Sequence, residues 1–173
     1  MLEATIFVVF PFCMVFAAIS DMLSMTIANR VSVLLVGAFA LVAPLTGMDW
    51  ATYGLHFAAG GLVLAVTFVL FAMGGMGGGD AKLLAATSVW IGLGMSLMQY
   101  LVLTTFIGGV LTLMILAYRK SPLAVYTGHN RFLRHFADET NGVPYGVALG
   151  IGGMAAFPSS PLMLWAIGRM SAL

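Results

Sequence analysis

The sequence predicts an all-α, polytopic membrane protein of six transmembrane helices with both termini extracytoplasmic, and three observations carry that prediction. The 173 residues are 61% hydrophobic and only 8% charged. Soluble domains run at about 25% charged, so 7 basic and 6 acidic side chains cannot clothe a globule of this size in water. Uncharged stretches long enough to cross a bilayer recur along the chain, and the lysines and arginines gather between alternate stretches.

Crossing roughly 30 Å of hydrocarbon takes about 20 apolar helical residues. Counting between charges places spans at about 4–20, 31–47 and 53–73. The uncharged run from Leu83 to Tyr118 is too long for one helix, and is predicted as two, 83–97 and 100–118, with a tight turn near Gly94 to Gln99. The last span, 143–168, contains Pro158 and Pro161, which should break or kink it. Because the N-terminus has no positive segment and no small-residue cleavage site after the first apolar run, that run is read as a retained span. With the N-terminus outside, Arg30, Lys82, Arg119, Lys120, Arg131 and Arg134 all lie inside and only Arg169 outside; the reverse orientation inverts that score. Residues 1–173 then form one transmembrane domain with one sizeable cytoplasmic loop, 119–142. Within that loop, Arg131 to Glu139 sets Phe132, Leu133 and Phe136 on one face, which suits either an interfacial helix or an ordinary positive-inside loop.

Several function classes are excluded at this level. A net charge of +1 gives no footprint for nucleic acid. The lone Cys13 excludes a disulfide framework and a multi-cysteine zinc site, and His56, His129 and His135 are too scattered for a metal triad. No metal or cofactor is expected. His56 is read as an interfacial ring at the outer start of the third span, and Gly60-Gly61, Gly108-Gly109 and Gly146-x-x-x-Gly150 as close helix approaches.

Two of the four aspartates are placed unusually. Asp21 closes the first span and Asp80 opens the fourth, both at the cytoplasmic face under the inferred topology. An ionisable group at a membrane boundary is costly and is a functional candidate by default. Structural alternatives exist: Asp80 as a helix N-cap with Lys82 at the head groups, Asp21 as a solvated loop residue balancing Arg30. Asp49, beside Trp50, reads as an interface residue; Asp138 and Glu139 read as solvated. The functional reading is an aspartic-peptidase pair. One carboxylate takes a proton from water while the other, protonated, polarises the scissile carbonyl, a division that two nearby carboxyls supply because both cannot ionise cheaply. The macrodipoles of their own helices, with Lys82 close in sequence to Asp80, favour a proton on Asp21 and an anion on Asp80.

These residues also carry a resemblance. Asp21 followed by Met-Leu-Ser-Met-Thr and Ile27-Ala28-Asn29 resembles the D-x5-I-P-N element of type IV prepilin peptidases. Gly77-Gly78-Gly79-Asp80-Ala81-Lys82-Leu83 resembles their G-x-G-D-x-K-L element, and Pro144-Tyr145-Gly146-Val147-Ala148-Leu149 the P-Y-G-x-A-L segment opening their last helix. The ordered set on a chain of this length resembles the short CpaA/TadV-like branch of these GxGD aspartic intramembrane peptidases, which processes Flp-type pilins. The resemblance implies an endopeptidase of the bacterial inner membrane that removes a short basic leader from membrane-embedded prepilins at the cytoplasmic face, working with pilus assembly machinery. Asp21 and Asp80 would be catalytic, Gly77 and Gly79 would shape the loop, and Asn29, Lys82 and Tyr145 would support the site. The chain departs at Ala28, where the family has proline, and lacks the cysteine-bearing segment that larger relatives associate with N-methylation, so no methylation is expected. Other readings are a related peptidase for archaellin-like precursors, a transporter using the aspartates as an ion relay, and a non-catalytic assembly subunit; against a relay, the spans hold few polar groups at mid-depth.

Overall fold

The computed structural model describes residues 1–122 and 142–171, and its regular elements among them are all helical. They are α1 (Leu2–Ser24), α2 (Asn29–Leu45), α3 (Trp50–Ala72), α4 (Gly78–Ile91), α5 (Met95–Arg119), α6 (Tyr145–Ala156), a 3₁₀ turn Phe157–Ser159, and α7 (Pro161–Met170). The proposed interfacial helix at Arg131 to Glu139, with His129 and His135, falls outside the described residues. By length and apolarity α1, α3 and α5 can each cross a membrane, and α6 with α7, bent by 52°, makes a fourth if the pair is one span. α2 and α4 are shorter, at 17 and 14 residues.

Each predicted apolar stretch is helical, but two boundaries are corrected. The turn predicted near Gly94 to Gln99 comes earlier, because Gly92 takes φ 76° and closes α4 at Ile91. Only glycine enters that conformation without strain, and a Cβ there would also meet the His56 ring at 2.6 Å. The fourth helix therefore covers Gly78–Ile91 in place of 83–97, and the fifth starts at Met95 in place of 100. The predicted break in the last span is present: Pro158 lies in the 3₁₀ turn and Pro161 opens α7, with the Ser160 hydroxyl accepting from the Met163 N–H at 3.4 Å.

α4 is the axis of the bundle. Ala81 and every residue from Leu83 to Ile91 are buried, as expected of a helix apolar on all sides. It packs against α2, α3 and α6, while α6 also packs on α1 and α5. One end of the bundle is an aromatic plug: Phe10 stacks on Phe157 at 4.1 Å, Trp90 meets Phe39 edge-on at 5.9 Å, and the Trp90 indole N–H donates to the Leu35 carbonyl at 2.8 Å. His56 belongs to this plug. It is 2% exposed, not interfacial, because its Nδ1 meets the Val89 carbonyl at 2.7 Å and its ring stacks on Phe39 at 4.8 Å. At the start of α3, Asp49 is the N-cap and accepts from the Thr52 N–H at 2.9 Å.

The opposite end is where the glycines act. Gly74, at φ 75°, closes α3 in a Schellman motif, with Gly74 N–H to the Phe71 carbonyl and Gly75 N–H to the Leu70 carbonyl, both at 2.9 Å. Gly77 then caps α4. Ala28 caps α2 with φ −66°, ψ 131°, and its φ is one that proline would adopt unstrained. The departure from the family pattern therefore leaves the chain path intact. Ala28→Pro is expected to stabilise by about 0.4–1 kcal/mol through the unfolded state, read as a higher midpoint in thermal unfolding of the detergent-solubilised protein.

Candidate active site

Helix ends bring the predicted catalytic residues together. Asp21 sits in the last turns of α1, 5% exposed, and is neither a solvated loop residue nor ion-paired to Arg30. Its main-chain carbonyl accepts the Met25 N–H at 2.8 Å, closing the helix through a left-handed Met25. Its side-chain Oδ2 accepts the Gly146 N–H at 2.6 Å, across 125 residues of chain. Gly146 is the second residue of α6, so the Asp21 carboxyl fills the N-terminal anion position of that helix.

This corrects the dipole argument made from sequence. Asp21 does lie at the negative end of its own helix, but the carboxyl group itself is set on the positive end of another. The Lys82 ammonium is directed elsewhere: its Nζ donates to Asn29 Oδ1 at 3.0 Å, and the pair lines a different cleft.

Asp80 is half-buried in the first turn of α4. It is not the N-cap; Gly77 is, and the Asp80 carboxyl turns back over it, so a Cβ on Gly77 would stand 2.6 Å from Oδ2. Gly79 is pressed on the Ile27 backbone, where a Cβ would meet Ile27 Cβ at 3.3 Å and its carbonyl oxygen at 3.4 Å. Ile27 in turn lies against Gly146, within 2.9 Å of an added Cβ. The I-A-N, G-x-G-D and P-Y-G elements thus meet at one buried isoleucine, with the two glycines setting the distance.

Asp21 and Asp80 line the same cavity, about 610 Å³, and lie within Coulombic reach of each other. Tyr145 lines it as well, near Asp80, its ring seated over Gly108 where any side chain would collide. Of the seven residues expected in the site, Asp21, Asp80, Gly77, Gly79 and Tyr145 converge here, whereas Asn29 and Lys82 face away.

Sequence reasoning missed two contributions. Gly146 was read only as a helix-packing glycine; its place in the P-Y-G element, opposite two aspartate elements, was the available signal. Threonines were passed over because single hydroxyls carry no periodicity of their own. Thr67 and Thr104 line the cavity and are both 3% exposed, so its wall carries buried hydroxyls among the apolar side chains. Thr67 donates back to the Val63 carbonyl at 2.8 Å, while Thr104 Oγ1 has no partner among the described residues.

Two carboxyls share one cavity at the end of an apolar helix bundle, as a hydrolase that uses paired acidic groups would need. The sequence matches the type IV leader peptidase family over residues 8–117, and the chain belongs to that family. It is a prepilin peptidase, a hydrolase. No curated protein and no solved structure matches it.

Proposed function

We infer that the chain removes the leader from a Flp-type prepilin at the cytoplasmic face of the bacterial inner membrane, with Asp21 and Asp80 as its catalytic pair and without methylating the new N-terminus. The observation that carries this reading is the shared cavity of the two carboxyls, in a chain of the leader peptidase family. A topology of six crossings with both termini outside fits the placement of Arg30, Lys82, Arg119 and Lys120 near the Asp80 end of the bundle. The absence of methylation is argued from Cys13, the chain's one cysteine, which is buried in α1.

Asp21 starts as the base, since a short N–H bond at a helix N-terminus suits its charged form, and Asp80 starts protonated because two facing carboxylates repel. Water gives a proton to Asp21 as its oxygen attacks the scissile carbonyl, whose oxygen takes the Asp80 proton. The tetrahedral diol then collapses: Asp80 regains its proton from the diol, Asp21 passes its own to the leaving amine, and the C–N bond breaks. The pair titrates as a unit, so these are starting roles.

The test is co-expression of the chain with a short Flp-type prepilin in bacterial membranes, read by gel shift. Wild type is expected to shorten the pilin at the leader junction, and Asp21→Asn and Asp80→Asn to accumulate without doing so. Cleavage surviving either substitution removes the dyad. Cleavage of an archaellin-like precursor but not the pilin moves the substrate assignment to that class.

A further inference from the structure

We propose that the chain carries a binding site for one anionic phospholipid, in a cleft between α2 and α3 on the face of α4 opposite the aspartate cavity, with the lipid phosphate held by Lys82, Asn29 and Ser32. The cleft measures about 730 Å³ and is almost wholly apolar below its upper end. α2 and α3 diverge over α4, so Ala85, Ala86 and Val89 form its floor, with Gly37 and Gly61 on its walls. A strip of small residues alone would mean only close packing. Three polar features at one end point to a particular occupant.

Ser32 is 8% exposed, lines the cleft, and its Oγ has no hydrogen-bond partner among the described residues. A buried hydroxyl left unpaired costs about 1–3 kcal/mol, so it marks a place where an acceptor is missing. One turn earlier on the same helix, Asn29 Oδ1 accepts from Lys82 Nζ at 3.0 Å, which leaves the Asn29 amide hydrogens and two ammonium hydrogens of Lys82 to donate. Neither Lys82 nor the adjacent Arg30 has a carboxylate partner among the described residues. Among the described residues, none that lines the cleft is acidic. The N-terminus of α2 also opens here without a side-chain cap, so its first N–H groups add positive potential.

The required ligand is therefore an anion with acceptor oxygens joined to an apolar tail, at the head-group level of a membrane helix bundle. An anionic phospholipid has that chemistry. A polypeptide helix, whether a substrate's or a second copy's, has its backbone groups already bonded and could answer Ser32 and Lys82 only through an acidic side chain placed at that depth. The inference stands independently of the catalytic reading.

The test is native mass spectrometry of the purified full chain in non-ionic detergent with equal amounts of dioleoyl phosphatidylglycerol and dioleoyl phosphatidylcholine. Wild type is expected to retain the anionic lipid about tenfold over the zwitterionic one, and Lys82→Met combined with Ser32→Ala to bring the two level, while Lys82→Arg keeps the preference. Gly61→Leu, whose side chain enters open space in the cleft, should remove adducts of both lipids. Gly54→Leu, with equally open surroundings outside the cleft, should retain them and serves as the control for added bulk. Equal adducts on wild type, or a preference that survives the double substitution, overturns the site. So does displacement by millimolar inorganic phosphate, which would make it a phosphate site, or a dimer abolished by Gly61→Leu, which would make the cleft an interface between copies.

Discussion

Asp21→Asn and Asp80→Asn are each expected to lower prepilin cleavage by about 10³- to 10⁴-fold, and the double substitution to cost hardly more than either alone. A positioned acid or base contributes about 10²–10⁴, and groups that act as a unit lose their joint effect at the first removal. The geometry makes the experiment clean. Asparagine at 21 keeps an oxygen to accept the Gly146 N–H, so the α1 to α6 junction is retained while the titratable group is lost. Asparagine at 80 keeps the fold-back over Gly77 in the same way. Both variants should therefore accumulate in the membrane near wild-type level, checked by immunoblot beside the gel shift. Additive losses, with the double variant worse than each single by the product of their effects, would mean that the two carboxyls work in separate steps or that one only supports the fold.

The legible part of this protein was what charge and periodicity encode. Stretches without charge located each helix among the described residues, and proline marked the break before α7. The aspartates stood out because a carboxyl at the end of an apolar run has few cheap explanations. Boundaries were misjudged where glycine, not charge, ends a helix: Gly92 stops α4 three residues after Val89 through its backbone conformation, which hydropathy does not register. The placement of Lys82 and Asn29 was hidden for a different reason. Residues two apart on a helix point in different directions, so closeness in sequence to Asp80 placed the ammonium on another face. The Asp21 to Gly146 bond was invisible because it is a tertiary contact through a backbone N–H, and nothing in the side chain of a glycine announces it.

That bond makes Gly146 a sensitive position outside the carboxyls. A Cβ on Gly146 would lie 2.8 Å from Asp21 Cβ and 2.9 Å from Asp21 Oδ2 and Ile27 Cδ1, so Gly146→Ala must push Asp21 off the α6 N-terminus or drive α1 and α6 apart. Overpacking of this kind costs about 1–3 kcal/mol. Displacement of a reacting group by about 1 Å costs on the order of 10²-fold in rate, so cleavage should fall by about that factor at full expression. Gly150→Ala separates the two effects. It lies one turn further along the same helix face, where a Cβ would meet Ala18 Cβ and the Met14 carbonyl oxygen at 3.1 Å, and it touches neither aspartate. It should lower the thermal midpoint of the solubilised protein comparably while leaving cleavage within a few-fold of wild type. If the two variants lose cleavage equally, the P-Y-G glycine serves helix packing alone, and the Gly146 N–H has no part in holding the base.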